Sequence, residues 1–461
     1  MRELMEEIIK EGIKRGAEFS DLRIVDHSGT SIRIEDGVAK ELMAPHDFGA
    51  CLRVLVRGRW GIASTNAVDK ASLVEALDEA VAAAEASHGE KSPLAEVSPF
   101  EGKAVTQVED DPRGVSQGEK IDLLMRLERD ARLVSDKIAN TVLGYSDSVM
   151  RELVCNSCGV FTDQTLIRTR AAIMVTAKDG ENRQSAYEAV GRLGGFEVVK
   201  NLDSEEFGVK AAHTAVGLLG AEKAPAGRFT CIMSPGIAGL FAHEALGHNA
   251  EGDLIAHHAS IIEGMVGQEI ASEAVTLLDD ATLPGLHGSY FFDSEGTPAA
   301  RRVIIEKGVL VGYLHGLETA ARLGARPNGS CRAYLHQNHP IVRMSNTFFA
   351  PGEYTLKELM DDIEIGLLVE GRNWGYVFVE RGQFTCNVEE AWMIRHGELA
   401  ERVVGVSIGG LTLETLKNVE GCTKDLVFDL PGFCGKDGQP MWVDAGGPYM
   451  RVRDVVVGGY K

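Results

Sequence analysis

The spacing of apolar positions divides the chain into stretches of helical period and stretches of period two. Met1-Arg2-Glu3-Leu4-Met5-Glu6-Glu7-Ile8-Ile9-Lys10 reads as an amphipathic helix over about 2–15, and residues 70–86 place Leu73, Leu77 and Val81 on one helical face. Segments 21–25 and 30–34 read as two strands followed by an Asp36-Gly37 turn, and the sheet continues through 49–56 and around Trp60. Residues 88–116 carry Pro93, Pro99 and Pro112 among acidic, Ser and Gly residues and read as a linker or long connection. A second unit repeats the plan, with a helix at about 118–136, strands through 140–190 and a helix at about 204–219. In Ile167-Arg168-Thr169-Arg170-Ala171 the arginines alternate with smaller residues, which predicts that one face of that strand is wet.

Beyond Ala226-Gly227 the pattern changes. A short strand at 229–233 feeds one apolar helix, and hairpins follow around Lys307-Gly308 and Arg381-Gly382. Thr355-x-x-Glu358 is a capping box opening a helix to about 366. A short helix at about 411–420 and a strand at 450–457 complete the chain. The expectation is an α+β protein. An N-terminal α+β domain spans 1–225, divisible into two subdomains around the linker at about 88–116. A mostly antiparallel C-terminal domain spans 226–461.

The stretch from Ser234 to His248 carries the chemistry. Ser234 suits a helix cap and Pro235 the first helical position. His243, Glu244 and His248 then stand on an apolar, small-residue background where polar groups are costly unless satisfied. The pattern is H-E-x-x-x-H. On an ideal α-helix the two imidazoles would diverge by roughly 140°. They share a metal only if the helix widens to a π turn, or ends at Gly247 and bends His248 back. In that reading the histidines are ligands and Glu244 is the general base. The third ligand stays open on local evidence among Glu251, Asp253, His257, His258 and the eight cysteines. Cys434 stands out because it lies in the glycine-rich stretch Gly432-Phe433-Cys434-Gly435-Lys436-Asp437-Gly438-Gln439.

Composition narrows the setting. A net charge of −21 without any Lys/Arg run argues against a nucleic-acid or anionic-membrane partner. The N-terminus lacks the plan of a signal peptide, and no apolar run reaches membrane-span length. Eight scattered cysteines without a secretion signal suggest reduced thiols and a cytoplasmic location. Cys155-Asn156-Ser157-Cys158 has C-x-x-C spacing but reads as a turn, and Asp279-Asp280 and Asp361-Asp362 read as exposed charged segments.

The run His243-Glu244-Ala245-Leu246-Gly247-His248-Asn249-Ala250-Glu251-Gly252-Asp253 resembles the signature of the TldD/PmbA family, historically called modulators of DNA gyrase. The likeness continues through Asp293-Ser294-Glu295-Gly296-Thr297-Pro298, then Pro340 to Thr347, then Cys434 to Gln439. The resemblance implies zinc held by His243, His248 and Cys434, with Glu244 as base. It also implies a peptidase acting on unfolded peptides, in leader-peptide removal or peptide degradation. The partners it implies are a second copy or a TldE/PmbA-like subunit. Arg343 is a candidate for holding substrate, with a structural ion pair as the other reading. The competing class is a non-enzymatic regulatory binding protein with a structural zinc.

Overall fold

The computed structural model of the chain describes residues 1–371 and 374–459. Among them, an eight-stranded sheet organises the N-terminal half, with Phe19–Glu35, Ile138–Asn156 and Val160–Asp179 as long antiparallel neighbours. Period-two alternation sorts its two faces. Leu22, Ile24, Ile32, Ile34, Leu143, Ile173 and Val175 point to one face. The helices Arg2–Lys14, Lys70–Ala86, Gln117–Arg132 and Lys210–Leu218 cover it.

The opposite face carries charge and is buried against the C-terminal half. Arg23 pairs with Glu152 and donates to the carbonyls of Ala333 and Leu335, both at 2.9 Å. Arg168 donates to the carbonyls of His287 and Ser289 at 2.9 and 2.6 Å and lies over the Trp442 ring. The wet face expected around Arg168 is therefore dry: this arginine is 1% exposed and serves as a clamp. The stretch read as two strands is the single strand Phe19–Glu35, because Gly29 passes so close to Asp147 that a Cβ would lie 2.3 Å from its carbonyl oxygen. The proline-bearing stretch 88–116 contains one strand, Phe100–Val105, added parallel to Val160–Asp179.

The C-terminal half is built on a ten-stranded and a seven-stranded sheet. Most pairs are antiparallel, but Gly227–Met233 with Ile365–Glu370, Asn346–Phe349 with Gln439–Gly447 and Glu222–Lys223 with Glu398–Val404 run parallel. Asp279 and Asp280, read as exposed, are buried. Asp279 takes hydrogen bonds from Arg302 at 2.7 Å and from the Ser345 amide and Thr347 hydroxyl at 2.8 Å, the satisfaction that a buried carboxylate requires. The Thr355 capping box forms, but its helix stops at Met360.

The site helix Pro235–Phe241 rises directly from the strand Gly227–Met233. Ser234 ends that strand in extended conformation without a side-chain cap; its carbonyl accepts the first helical bond from Ala238. Gly239 rests on the backbone of Gln439–Gly447, where a Cβ would come within 2.6 Å of the Gly446 nitrogen. Phe241 packs against Phe349 and Phe384, so the helix end that presents the histidines is anchored in the core.

Candidate metal centre

The helix widens where the sequence demands it. Residues Ala242–Gly247 form a π turn, and the His248 amide donates to the His243 carbonyl, five residues back. With i to i+5 bonding, side chains five apart sit nearly above one another, so the two imidazoles of H-E-x-x-x-H share a face. Their ring centroids are 5.2 Å apart. Gly247 has ordinary helical backbone angles; it is needed for space, because a Cβ there would lie 2.0 Å from Met344 Sδ.

The third group arrives from 186 residues away in sequence. Cys434 sits on Gly432–Lys436, a strand paired antiparallel with Gln439–Gly447. Asp437 and Gly438 join the two with positive φ at both positions (50° and 71°), the two-residue geometry that Asp-Gly favours. The glycine-rich stretch is thus a tight hairpin. Strand alternation turns Cys434 inward, and its Sγ lies 3.4 Å from His248 Nε2. The ligand atoms of His243, His248 and Cys434 all fall within 4.8 Å of one another, the single such trio among the described residues.

Electrostatics fits this trio to a cation. Burial pushes the Cys434 thiol up, but the imidazoles of His243 and His248 outweigh it and bring the thiol down to about 4. Burial pushes both imidazoles down, yet His243 is raised by Cys434, and His248 well raised by Glu251 and Cys434. A site that holds a thiolate and draws protons onto its neighbours favours positive charge between them. His243 Nδ1 is buried without a hydrogen-bond partner, a donor atom left for something else to satisfy. These residues therefore fit a zinc-type metal.

Other candidates take supporting places. Glu251 is fully buried and accepts from His248 Nδ1 at 3.1 Å, leaving Nε2 toward Cys434. Its carboxyl is held at about 2, because Lys436 and His248 outweigh the upward push of burial. Lys436 bonds both Glu251 and Asp253. His257 lines the cavity from an exposed position, while His258 pairs with Glu263 at 2.6 Å. Cys158 and Val160 donate their amides to Asn156, so the C-x-x-C spacing marks a turn of free cysteines.

Arg343 departs from the substrate-holding expectation. It is wholly buried and absent from the cavity wall; its guanidinium donates to the carbonyls of Gln439 (2.8 Å) and Cys434, one on each hairpin strand. It fixes the hairpin. Glu244, half-buried, lines a cavity of about 700 Å³ with His243, His248, Cys434 and Tyr376.

A soft thiolate and two imidazoles beside a carboxylate, at the end of an interrupted helix, define a metallopeptidase-like centre. The sequence comparisons agree. Residues 20–86, 110–219 and 226–459 match, in order, domain 1, the central domain and the C-terminal domain of the PmbA/TldA metallopeptidases. The chain belongs to the TldD/PmbA family. It is 37% identical over 447 residues to a metalloprotease of Methanothermobacter thermautotrophicus, covering 97% of each chain. It is 24% identical to a protein of Saccharolobus solfataricus named a zinc metalloprotease TldD homolog, covering 98% of this chain and 99% of that one. The crystal structure of TldE from Thermococcus kodakarensis shares the fold (TM-score 0.79, 20% identity, 99% of this chain and 100% of that one). Among the described residues no helix is long and apolar enough to cross a membrane.

Proposed function

We propose that the chain is a zinc-dependent peptidase that hydrolyses unfolded or extended peptides, with zinc held by His243, His248 and Cys434. The observation that carries this is the convergence of those three donors, from two distant segments, on the cavity that Glu244 lines. When bound, zinc supplies a Lewis acid that polarises a peptide carbonyl and acidifies water. Glu244 takes the proton of the attacking water and returns it to the leaving amine. A thiolate ligand gives more charge to the metal than an imidazole does, so more of that proton transfer falls to Glu244. Cys434, already charged above about 4, has no proton to lose on binding near neutral pH.

The cavity also bears on substrate class. Gly375, Tyr376 and Val377 line it and belong to Trp374–Phe378, the edge strand of the ten-stranded sheet. An extended peptide can pair with such an edge through backbone hydrogen bonds, which gives affinity with little sequence preference. A second copy or a TldE-like subunit completes the proposed assembly, consistent with the shared fold of TldE. Three donors beside an open cavity favour catalysis over a structural zinc, which four protein ligands normally close.

Glu244→Gln tests the mechanism. The variant is expected to keep its zinc and to lose a factor of roughly 10²–10⁴ in kcat on an unfolded peptide. Full activity would remove Glu244 as the base. Zinc bound by a wild type that cleaves no unfolded peptide would favour the non-enzymatic regulatory protein.

A further inference from the structure

The thiolate strand is held from one backbone edge only. Gly432–Lys436 pairs with Gln439–Gly447 and with no other strand among the described residues. Arg343 grips its carbonyl side, and its partner strand meets the site helix at Gly446, five residues beyond Met441, the residue paired with Cys434. Two residues on, Lys436 points the same way as Cys434, as strand period dictates. Opposite it stand Glu251 and Asp253, three and five residues beyond His248. The contact between the two segments therefore has two rungs: Cys434 against His248, and Lys436 against Glu251 and Asp253.

The second rung is saturated. Lys436 Nζ donates to Glu251 at 3.1 Å, to the Asp253 carboxylate at 2.7 Å and to the Val342 carbonyl at 3.0 Å. An ammonium has three hydrogens, and these three groups use them all. Lys436 thus has no donor to offer a substrate carbonyl, although it lines the cavity. Its side chain is 11% exposed and Glu251 fully buried, so solvent screens the pair little.

We propose that Lys436 is a positioning residue for the metal centre: by tying the thiolate strand to Glu251 and Asp253, it sets Cys434 at bonding range of a metal on His243 and His248. The proposal rests on the zinc reading above. Glu251 belongs to the same device, since one carboxylate orients His248 and anchors Lys436. Partners of this kind around metal ligands typically account for 10- to 100-fold in affinity.

The test is zinc affinity of the full-length chain, measured by competition with a chromophoric chelator, for Lys436→Met in the wild-type and Cys434→Ala backgrounds. If Lys436 acts through Cys434, its loss weakens zinc about 10- to 100-fold in the wild type and less than about threefold once the thiol is absent. Cobalt substitution reads the same point spectroscopically: the thiolate charge-transfer band weakens in Lys436→Met while the ligand-field bands persist. Unchanged affinity, or an equal loss in both backgrounds, overturns the proposal. Should Lys436→Met not fold, Asp253→Asn loosens the same lysine and leaves Glu251 in place. It is expected to weaken zinc in the same background-dependent way, and equal effects would again overturn the proposal. Failure of the wild type to bind zinc at all would instead remove the metal reading beneath it.

Discussion

Cys434 departs from the other thiols in the direction its proposed role as a metal ligand requires. Burial, the largest cause in each, raises Cys51 and Cys155 to about 11 and Cys231, Cys386 and Cys422 to about 12. Cys434 is also buried, but two imidazoles reverse the sign and bring it to about 4. Its thiolate is the dominant form above that value and is lost only as pH falls through it. In protein stripped of metal, alkylation by iodoacetamide should therefore reach Cys434 first, at a rate nearly constant from pH 8 to pH 5. An ordinary thiol slows about tenfold per pH unit below about 8.5. Peptide mapping of the alkylated chain measures this; a tenfold fall per unit at Cys434 would contradict the paired thiolate. Arg343 teaches the complementary lesson. A charged residue in a motif resembling a family signature invites a substrate role, whereas its geometry shows a guanidinium spent on two carbonyls of the hairpin.

Among the elements, the π turn Ala242–Gly247 has the clearest consequence. It costs an irregular hydrogen-bond pattern and returns two imidazoles on one face. Its geometry depends on the missing side chain at 247, where Met344 occupies the space. Gly247→Ala must displace Met344 or the turn. The expected result is a loss of about 1–3 kcal/mol in stability, the usual range for overpacking, and weaker zinc binding through a shifted His248. Urea denaturation and zinc titration check the two halves separately; unchanged values in both would mean that the turn tolerates the methyl group. The hairpin of Cys434 is the matching element. Its Asp-Gly turn and alternation decide that Cys434 and Lys436 face inward together.

For the whole molecule, three buried arginines join the N-terminal sheet to the site-bearing half. Arg23 and Arg168 clamp loops of the C-terminal half, and Arg53 pairs with Asp21 and, at 3.1 Å, with Glu295. Arg23→Ala would leave Glu152 buried with Gln164 and Ser294 as its remaining partners among the described residues. Breaking a buried pair from one side typically costs about 3–5 kcal/mol. Equilibrium urea unfolding should show a loss of that order; a change under about 1 kcal/mol would mean that the pair adds little to the coupling.

Much of this was legible in sequence, for local reasons. The helix Lys70–Ala86 has its face written in Leu73 and Leu77, and Asp36-Gly37 supplies the positive φ its turn needs. H-E-x-x-x-H left two devices open, a π turn or a helix ending at Gly247, and the structure takes the first. What stayed hidden depends on distant partners. Nothing beside Arg168 announces Trp442 or the carbonyl of Ser289, so its alternation read as a wet face. The glycine-rich stretch makes Cys434 stand out among the eight cysteines, but only its place opposite His248, or a likeness to a family, singles it out as the third donor. Lys436 left a signal that could have been used: two residues past Cys434 in an Asp-Gly hairpin, it must share that residue's face.

In the proposed function, two imidazoles and one distant thiolate form a single zinc site. Elemental analysis of the full-length chain, wild type beside Cys434→Ala, tests it most directly. About one zinc per chain in the wild type and much less in the variant is the predicted result. A wild type that takes up no zinc on addition, or a Cys434→Ala variant that holds as much as the wild type, would contradict it.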